Sequence, residues 1–416
     1  MTSSNPEPTI DARGATGVAV ASVIGAASSY LVLVIAARAL TPERNADFLT
    51  FWSALFWLFG TLGGIQHEAT RAVAHRRTHA DHRPGARVLL VGLGVGLVAA
   101  AAVALTSPLW ASTLLGPDWP WLVGALALGG VAFAGHSAYC GILSGEGAWN
   151  AYARLVGAEA GTRLLLVVAV AAIGAQAIGI EMAAAAAAGT WLVLSVFDTG
   201  LRGRRGARAD VPARAVLSHI GQTVLAAAAS TGLVVGFTVL LRATTGTAEF
   251  EGATAFVLAI TLTRAPLLLP LQAYQGVAIA HVVAHRDRGA AALRPVAGAV
   301  VGLGALAAVL AWWLGPWAMR LLFGPDYDVP GLVIALLTVG AACLALLTLA
   351  GATVLALGHH RAYAAGWVVA FLVSVAVLLL VPASIEVRGT AALVAGPLAG
   401  FAVHASALAR HGRSAR

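Results

Sequence analysis

Arg264 is the residue whose setting first invites chemistry. It lies about eleven residues into an apolar run at 253–280, or ~16 Å along a helix, and Pro266 and Pro270 follow it closely. An ionisable side chain in hydrocarbon costs at least ~2.5–3.5 kcal/mol, so a guanidinium at that depth faces protein or water and has a task there. Its planar fork suits phosphate oxygens, and the prolines should kink the helix and free carbonyls toward a cavity. Two readings stay open: a ligand for an anionic, phosphate-bearing group, or a structural arginine paired with a carboxylate from another helix. Arg163 is also mid-run, but Glu159 stands four residues before it, the spacing of a self-neutralising helical pair.

A second polar group gathers at helix ends. Gln66, His67, Glu68 and Arg71 close the second apolar run, Asp198 the sixth, and His219 and Gln222 open the seventh. If the second and seventh runs line one cleft, these residues form a polar mouth. Arg71 and Gln222 would then meet a ligand, while Glu68, His219 and Asp198 could exchange protons, histidine changing charge near neutrality. The alternative is that all of them are solvated at the membrane interface. His136, mid-run in the fourth segment, reads as a core histidine. The run Gly135-His136-Ser137-Ala138-Tyr139 lacks the last glycine of a nucleophile elbow and any strand-to-helix turn, so no acyl chemistry is expected of it.

The elements that must hold these residues follow from composition. Of 416 residues 59% are hydrophobic and 11% charged, with a mean hydropathy of +0.84, where soluble domains carry roughly 25% charge. Twelve spans at about 20 residues each would fill about 60% of the chain. Apolar runs fall at 14–37, 46–68, 88–107, 119–143, 152–173, 180–201, 215–241, 253–280, 295–315, 330–357, 362–382 and 390–409. The expectation is an all-α polytopic membrane protein of about twelve transmembrane helices. Glu7 and Asp11 precede a first run too long for a signal-peptide core, so that run reads as a retained helix.

All 26 basic residues are arginine, which removes P-loop, Schiff-base and pyridoxal chemistry for want of a lysine amine. Cys140 and Cys343 lie within apolar runs, so neither a disulfide nor a thiolate metal site is expected, and no cofactor is implied. With the N-terminus inside, five arginines fall outside (Arg38, Arg44, Arg242, Arg320, Arg388), two within helices, and nineteen inside. That bias places both termini in the cytoplasm. No aromatic residue separates the arginines of 71–87 or 202–214, so the basic runs are topology signals and nucleic-acid binding is not expected.

The chain also repeats. Gly116-Pro117-Asp118 recurs as Gly324-Pro325-Asp326 at an offset of 208, and Val73-Ala74-His75-Arg76 as Val283-Ala284-His285-Arg286 at 210; Gly147 through Tyr152 echoes Gly358 through Tyr363. Two six-helix halves, 1–210 and 211–416, follow. An even helix count gives them the same orientation, and parallel repeats place a site at their interface.

The segments Ala36-Ala37-Arg38-Ala39-Leu40-Thr41-Pro42, Leu262-Thr263-Arg264-Ala265-Pro266, Phe323-Gly324-Pro325-Asp326-Tyr327 and Leu355-Ala356-Leu357-Gly358-His359-His360-Arg361 resemble the polysaccharide flippases of the multidrug/oligosaccharidyl-lipid/polysaccharide exporter superfamily. The resemblance spans nearly the whole chain and departs at Glu43-Arg44-Asn45, where a glycine is usual. It implies a central cavity lined by the first, second, seventh and eighth helices, and alternating access for a lipid-linked sugar. It also implies a basic residue at the position of Arg264, as in lipid II flippases. Gln272, Tyr274 and Gln275 would contact sugar, and a polysaccharide polymerase or ligase would be a partner. Such a protein sits in a bacterial cytoplasmic membrane. The competing classes are a drug exporter of the same superfamily and a polytopic membrane glycosyltransferase. The enzyme needs a large acidic outer loop, and only Glu43 and Asp47 in a loop of about ten residues offer one, so catalysis is not expected.

Overall fold

The computed structural model describes residues 12–78, 85–174, 176–264 and 294–414. Their regular structure is helical apart from one bridge, Arg87 to Arg208. Gln272, Tyr274, Gln275, Pro266, Pro270 and the 283–286 repeat lie outside the described residues. The helices are α1 (Ala12–Ala39), α2 (Pro42–Leu62), α3 (Gly64–Thr78), α4 (Val88–Thr106), α5 (Ala111–Leu115), α6 (Trp119–Gly145), α7 (Trp149–Ala172), α8 (Ala177–Ala186), α9 (Thr190–Phe197) and α10 (Thr199–Arg202). They continue with α11 (Ala213–Val234), α12 (Phe237–Thr244), α13 (Thr247–Gly252), α14 (Thr254–Arg264), α15 (Arg294–Phe323), α16 (Gly331–Ala356), α17 (His360–Leu380) and α18 (Ile385–Ser414).

Ten described helical stretches are long and apolar enough to cross a membrane, and the bent pair α11–α12 adds an eleventh. The eighth expected run is represented by α14. Two boundaries differ from the sequence reading. The loop of about ten residues expected after the first run shrinks to two, because Pro42 fits the first turn of a helix, needing no amide there, so Glu43 and Asp47 ride on α2. The second span runs on through α3 to Thr78, past a break at Gly63.

The fold divides into two compact units. One comprises the described residues up to Leu40 with Ala54–Ala227; the other comprises Thr41–Ser53 with Ala228 onward. In the first, α1 packs on α7, and α6 lies between α3 and α4. Small residues permit this: a Cβ on Gly141 would meet the Ala69 Cβ at 2.3 Å, and one on Gly96 the Ala134 Cβ at 2.7 Å. Without a hydrophobic drive between helices in lipid, such close backbone approach supplies the packing. In the second unit α16 is the most enclosed helix, flanked by α15 and α18. The flanks of both units carry exposed leucines and valines, Leu97, Leu105 and Leu165 in one and Leu303, Leu310 and Leu379 in the other, as a lipid-facing surface requires.

The repeat is visible in backbone conformation. Gly116 and Gly324 have φ of 70° and 124°, and Gly147 and Gly358 have 73° and 80°. These left-handed positions recur where the same turn opens the next helix in each half, and glycine is the residue that adopts them without strain.

Candidate functional site

In the second unit the chemistry gathers at a broken helix. The seventh span does not continue to residue 241 as one rod; α11 and α12 meet at 75°. The amides of Val235 and Gly236 both donate to Thr231 O, at 2.8 and 2.9 Å, and the ladder restarts with Val239 donating to Gly236 O at 3.0 Å. The shift releases the carbonyls of Val234 and Val235 from helical pairing. An unmet carbonyl inside a membrane is expensive, and side chains meet both: Arg264 Nη1 donates to Val234 O, and Ser53 Oγ to Val235 O. Arg264 is 9% exposed, and its guanidinium lies 5.8 Å from the centre of the Phe237 ring. Arg264 thus meets a freed carbonyl at the helix break.

In the first unit the polar group at the helix ends is a connected network. Glu68, Arg71 and His75 share one face of α3 by their spacing. A Cβ on Gly64 would come within 2.8 Å of Thr223 Oγ1, so α11 passes close to α3 there. One turn onward on α3 and one turn back on α11, His219 Nδ1 stands 2.9 Å from Glu68 Oε1. Arg71 donates from Nε and Nη2 to Glu68 at 2.9 and 2.7 Å, and from Nη1 and Nη2 to Asp210, both at 3.1 Å. His75 Nδ1 is 3.2 Å from the same aspartate.

Asp210 reaches this position because the segment after α10 is pinned. Ala86 donates to Val211 O, Ala209 to Ala86 O and Val88 to Ala207 O, while Arg76 Nη1 donates to Ala209 O at 2.9 Å. The carboxylates are the buried members, Glu68 and Asp210 at 8%, and Arg71, His75 and His219 are about half exposed. Two carboxylates and one guanidinium leave one negative charge when both imidazoles are neutral, so one added proton balances the cluster.

Two sequence expectations change here. Asp198 lies outside the network: it caps α10, accepting from the Gly200 and Leu201 amides, and pairs with Arg154 at 2.9 Å. Burial raises its carboxyl pKa, but Arg154 and those two amides outweigh it and hold the carboxyl below its ordinary range. Arg71 spends donors on two carboxylates rather than presenting an open fork. Arg242 is buried on α12 over the Phe250 ring at 5.1 Å. Gln222 is exposed on α11. Glu159 and Arg163 form the expected buried pair at 2.5 Å, and His136 is buried with Nε2 3.4 Å from Cys140 Sγ.

Asp210, His75 and Ser53 were missed by sequence reasoning. One signal existed: Asp210 is the single acidic residue between Asp198 and Glu249, set among five arginines at 202, 204, 205, 208 and 214.

No family model matches the chain. Among curated proteins it is 39% identical over 404 residues to the uncharacterized protein Rv1510 of Mycobacterium tuberculosis, covering 96% of this chain and 92% of that one. It is 38% identical over 405 residues to the uncharacterized protein Rv3630 of the same organism, with the same coverage. Among solved structures, an inward-facing multidrug resistance MATE family transporter of the MOP superfamily superposes with a TM-score of 0.69 at 16% identity, covering 93% of this chain and 94% of that one. An outward-facing one gives 0.63 at 15%, over 98% and 96%. A MOP superfamily transporter from Pyrococcus furiosus, described as having a binding pocket of reverse polarity that suggests a different function, gives 0.64 at 16%, over 99% and 97%.

Proposed function

Because the chain belongs to the family of the mycobacterial proteins Rv1510 and Rv3630 and carries the two-repeat helical fold of the MOP transporters, we propose that it is a membrane transporter that works by alternating access. Its cargo is a polyprenyl-diphosphate-linked oligosaccharide, moved from the cytoplasmic to the outer leaflet. The halves 1–210 and 211–416 rock about their junction, and both termini stay in the cytoplasm. The headgroup travels through protein while the lipid tail remains in the bilayer, so neither end is desolvated in the wrong medium.

One observation carries the cargo assignment: a buried guanidinium, Arg264, at a break in a transmembrane helix. A guanidinium has five donors, so bonding Val234 O is compatible with binding a phosphate. Gln272, Tyr274, Gln275 and Gln222 supply hydrogen bonds to sugar. The Glu68–His219 pair takes up and releases the coupling proton, with Arg71 and Asp210 setting its charge. Asp198, tied to Arg154, belongs to the scaffold. A polysaccharide polymerase or ligase receives the product in the outer leaflet.

Deleting the gene and analysing lipid-linked sugars by leaflet tests this reading. Accumulation of a complete lipid-linked precursor on the cytoplasmic side supports it; an unchanged distribution contradicts it. A second reading, export of drugs, is favoured by the multidrug transporters among the fold's relatives. It is supported instead if the deletion leaves lipid-linked sugars untouched and sensitises cells to cationic drugs.

A further inference from the structure

Each unit holds a basic cavity at the same place in the repeat. In the first, a cavity of about 440 Å³ opens at the start of α7, lined by Arg77, Arg154, Arg204, Glu146, Trp149 and Asn150. In the second, a cavity of about 600 Å³ opens at the start of α17, lined by Gly358, His359, His360, Arg361 and Arg410. The segments at their centres are the related turns beginning at Gly147 and Gly358, both in the left-handed conformation. From these cavities we infer a pair of repeat-related binding sites for a phosphate group, one at the start of α7 and one at the start of α17. The inference does not depend on the transported cargo.

The positive-inside bias explains arginines on this side of the chain, but not their convergence on one cavity. In the first site the protein anchors each guanidinium by part of its fork. Arg77 Nη1 donates to Glu146 O, Arg204 to the Glu146 carboxylate and to Gly200 O, and Arg154 Nη2 to Asp198. Three guanidiniums against two carboxylates leave a net positive charge. Anchoring fixes the side chains before any ligand arrives, so less rotamer freedom is lost on binding.

Gly147 is the floor of this site: a Cβ there would lie 3.5 Å from Arg77 Nη1 and 4.0 Å from Trp149 Nε1. A guanidinium and an indole N–H thus flank a position with no side chain. The first amides of α7 follow directly, and a helix start adds partial positive charge to guanidiniums that already favour phosphate. In the second site, His360 and Arg361 open α17 and Arg410 comes from α18, so the basic character recurs from different residues. A lipid headgroup and a soluble phosphate share this chemistry.

The test is native mass spectrometry of the full-length protein in detergent, with dioctanoyl phosphatidic acid as probe and dioctanoylglycerol as its phosphate-free control. Two phosphatidic acid adducts and none of the glycerol are expected. Arg77→Gln with Arg154→Gln should weaken one adduct by about tenfold or more, and Arg361→Gln with Arg410→Gln the other, each lost phosphate contact being worth roughly an order of magnitude. Lysine at the same positions should restore most of the binding, which separates loss of charge from loss of fold. Competition by millimolar inorganic phosphate assigns the sites to a soluble phosphate; its failure assigns them to lipid headgroups. Adducts equal for both probes, or unchanged in both glutamine pairs, would overturn the inference.

Discussion

Replacing Glu68 by glutamine tests whether the α3–α11 network is a working unit or a coincidence of neighbours. The carboxylate accepts N–H bonds from Arg71 Nε at 2.9 Å and Nη2 at 2.7 Å, and stands 2.9 Å from His219 Nδ1. Glutamine keeps the volume, removes the charge and turns an amide N–H₂ toward donors. Hydrogen bonds to charged groups contribute about 1.5–3 kcal/mol each, but Arg71 and His219 are about half exposed and Arg71 retains Asp210. Water recovers part of the loss, and a net destabilisation of about 2 kcal/mol is expected. His219→Gln alone should cost about 1 kcal/mol, and the double variant less than the two together, since both remove one shared bond. Thermal unfolding of the purified protein in detergent, as a double-variant cycle, measures the coupling. Strict additivity would refute the coupling.

Other consequences follow from the same contacts. If the transport proton passes through this network, Glu68→Gln should flatten the pH dependence of transport in vesicles; an unchanged profile removes that role. Asp198→Ala should lose about 1 kcal/mol through the α10 cap, with little from the exposed Arg154 pair. Because the native carboxyl is held below its ordinary range, that stabilisation is present at neutral pH and disappears only in strong acid. The wild-type and variant melting curves should therefore converge there, and a gap that persists would contradict the assignment. Gly135→Ala places a Cβ 2.3 Å from the Trp191 ring, which is held by its bond to Ala132 O at 2.7 Å. Overpacking of about 1–3 kcal/mol should lower the melting temperature, whereas Gly157→Ala, with open space around it, should not.

Local arrangements were readable from the chain and non-local ones were not. The Glu159–Arg163 pair follows from helical spacing, which fixes neighbours three and four apart; the same spacing binds Arg71 to Glu68, where the sequence reading had set Arg71 toward a ligand. The matched turns at Gly116 and Gly324, and at Gly147 and Gly358, were legible because a left-handed turn demands glycine wherever it recurs. Asp210 reaches Arg71 only through the pairing of residues 86–88 with 207–211, which no periodicity encodes. The break at 234–236 was hidden because its residues are as apolar as a continuous span; what permits it is Ser53 and Arg264, distant in sequence, meeting the freed carbonyls. Arg264 was thus found by its cost in a bilayer, and its partner only by the fold.

The most direct measurement is translocation of a polyprenyl-diphosphate-linked glycan by the purified protein in vesicles, comparing wild type, Arg264→Met, Arg264→Lys and Ser53→Ala. Ser53→Ala disturbs the same helix break without touching the charge and should transport at close to the wild-type rate. Arg264→Met should fold and insert yet lose about 10- to 150-fold in rate, the equivalent of one charge-assisted phosphate contact, with Arg264→Lys between the two. A well-folded Arg264→Met protein that moves the glycan as fast as wild type would contradict the account.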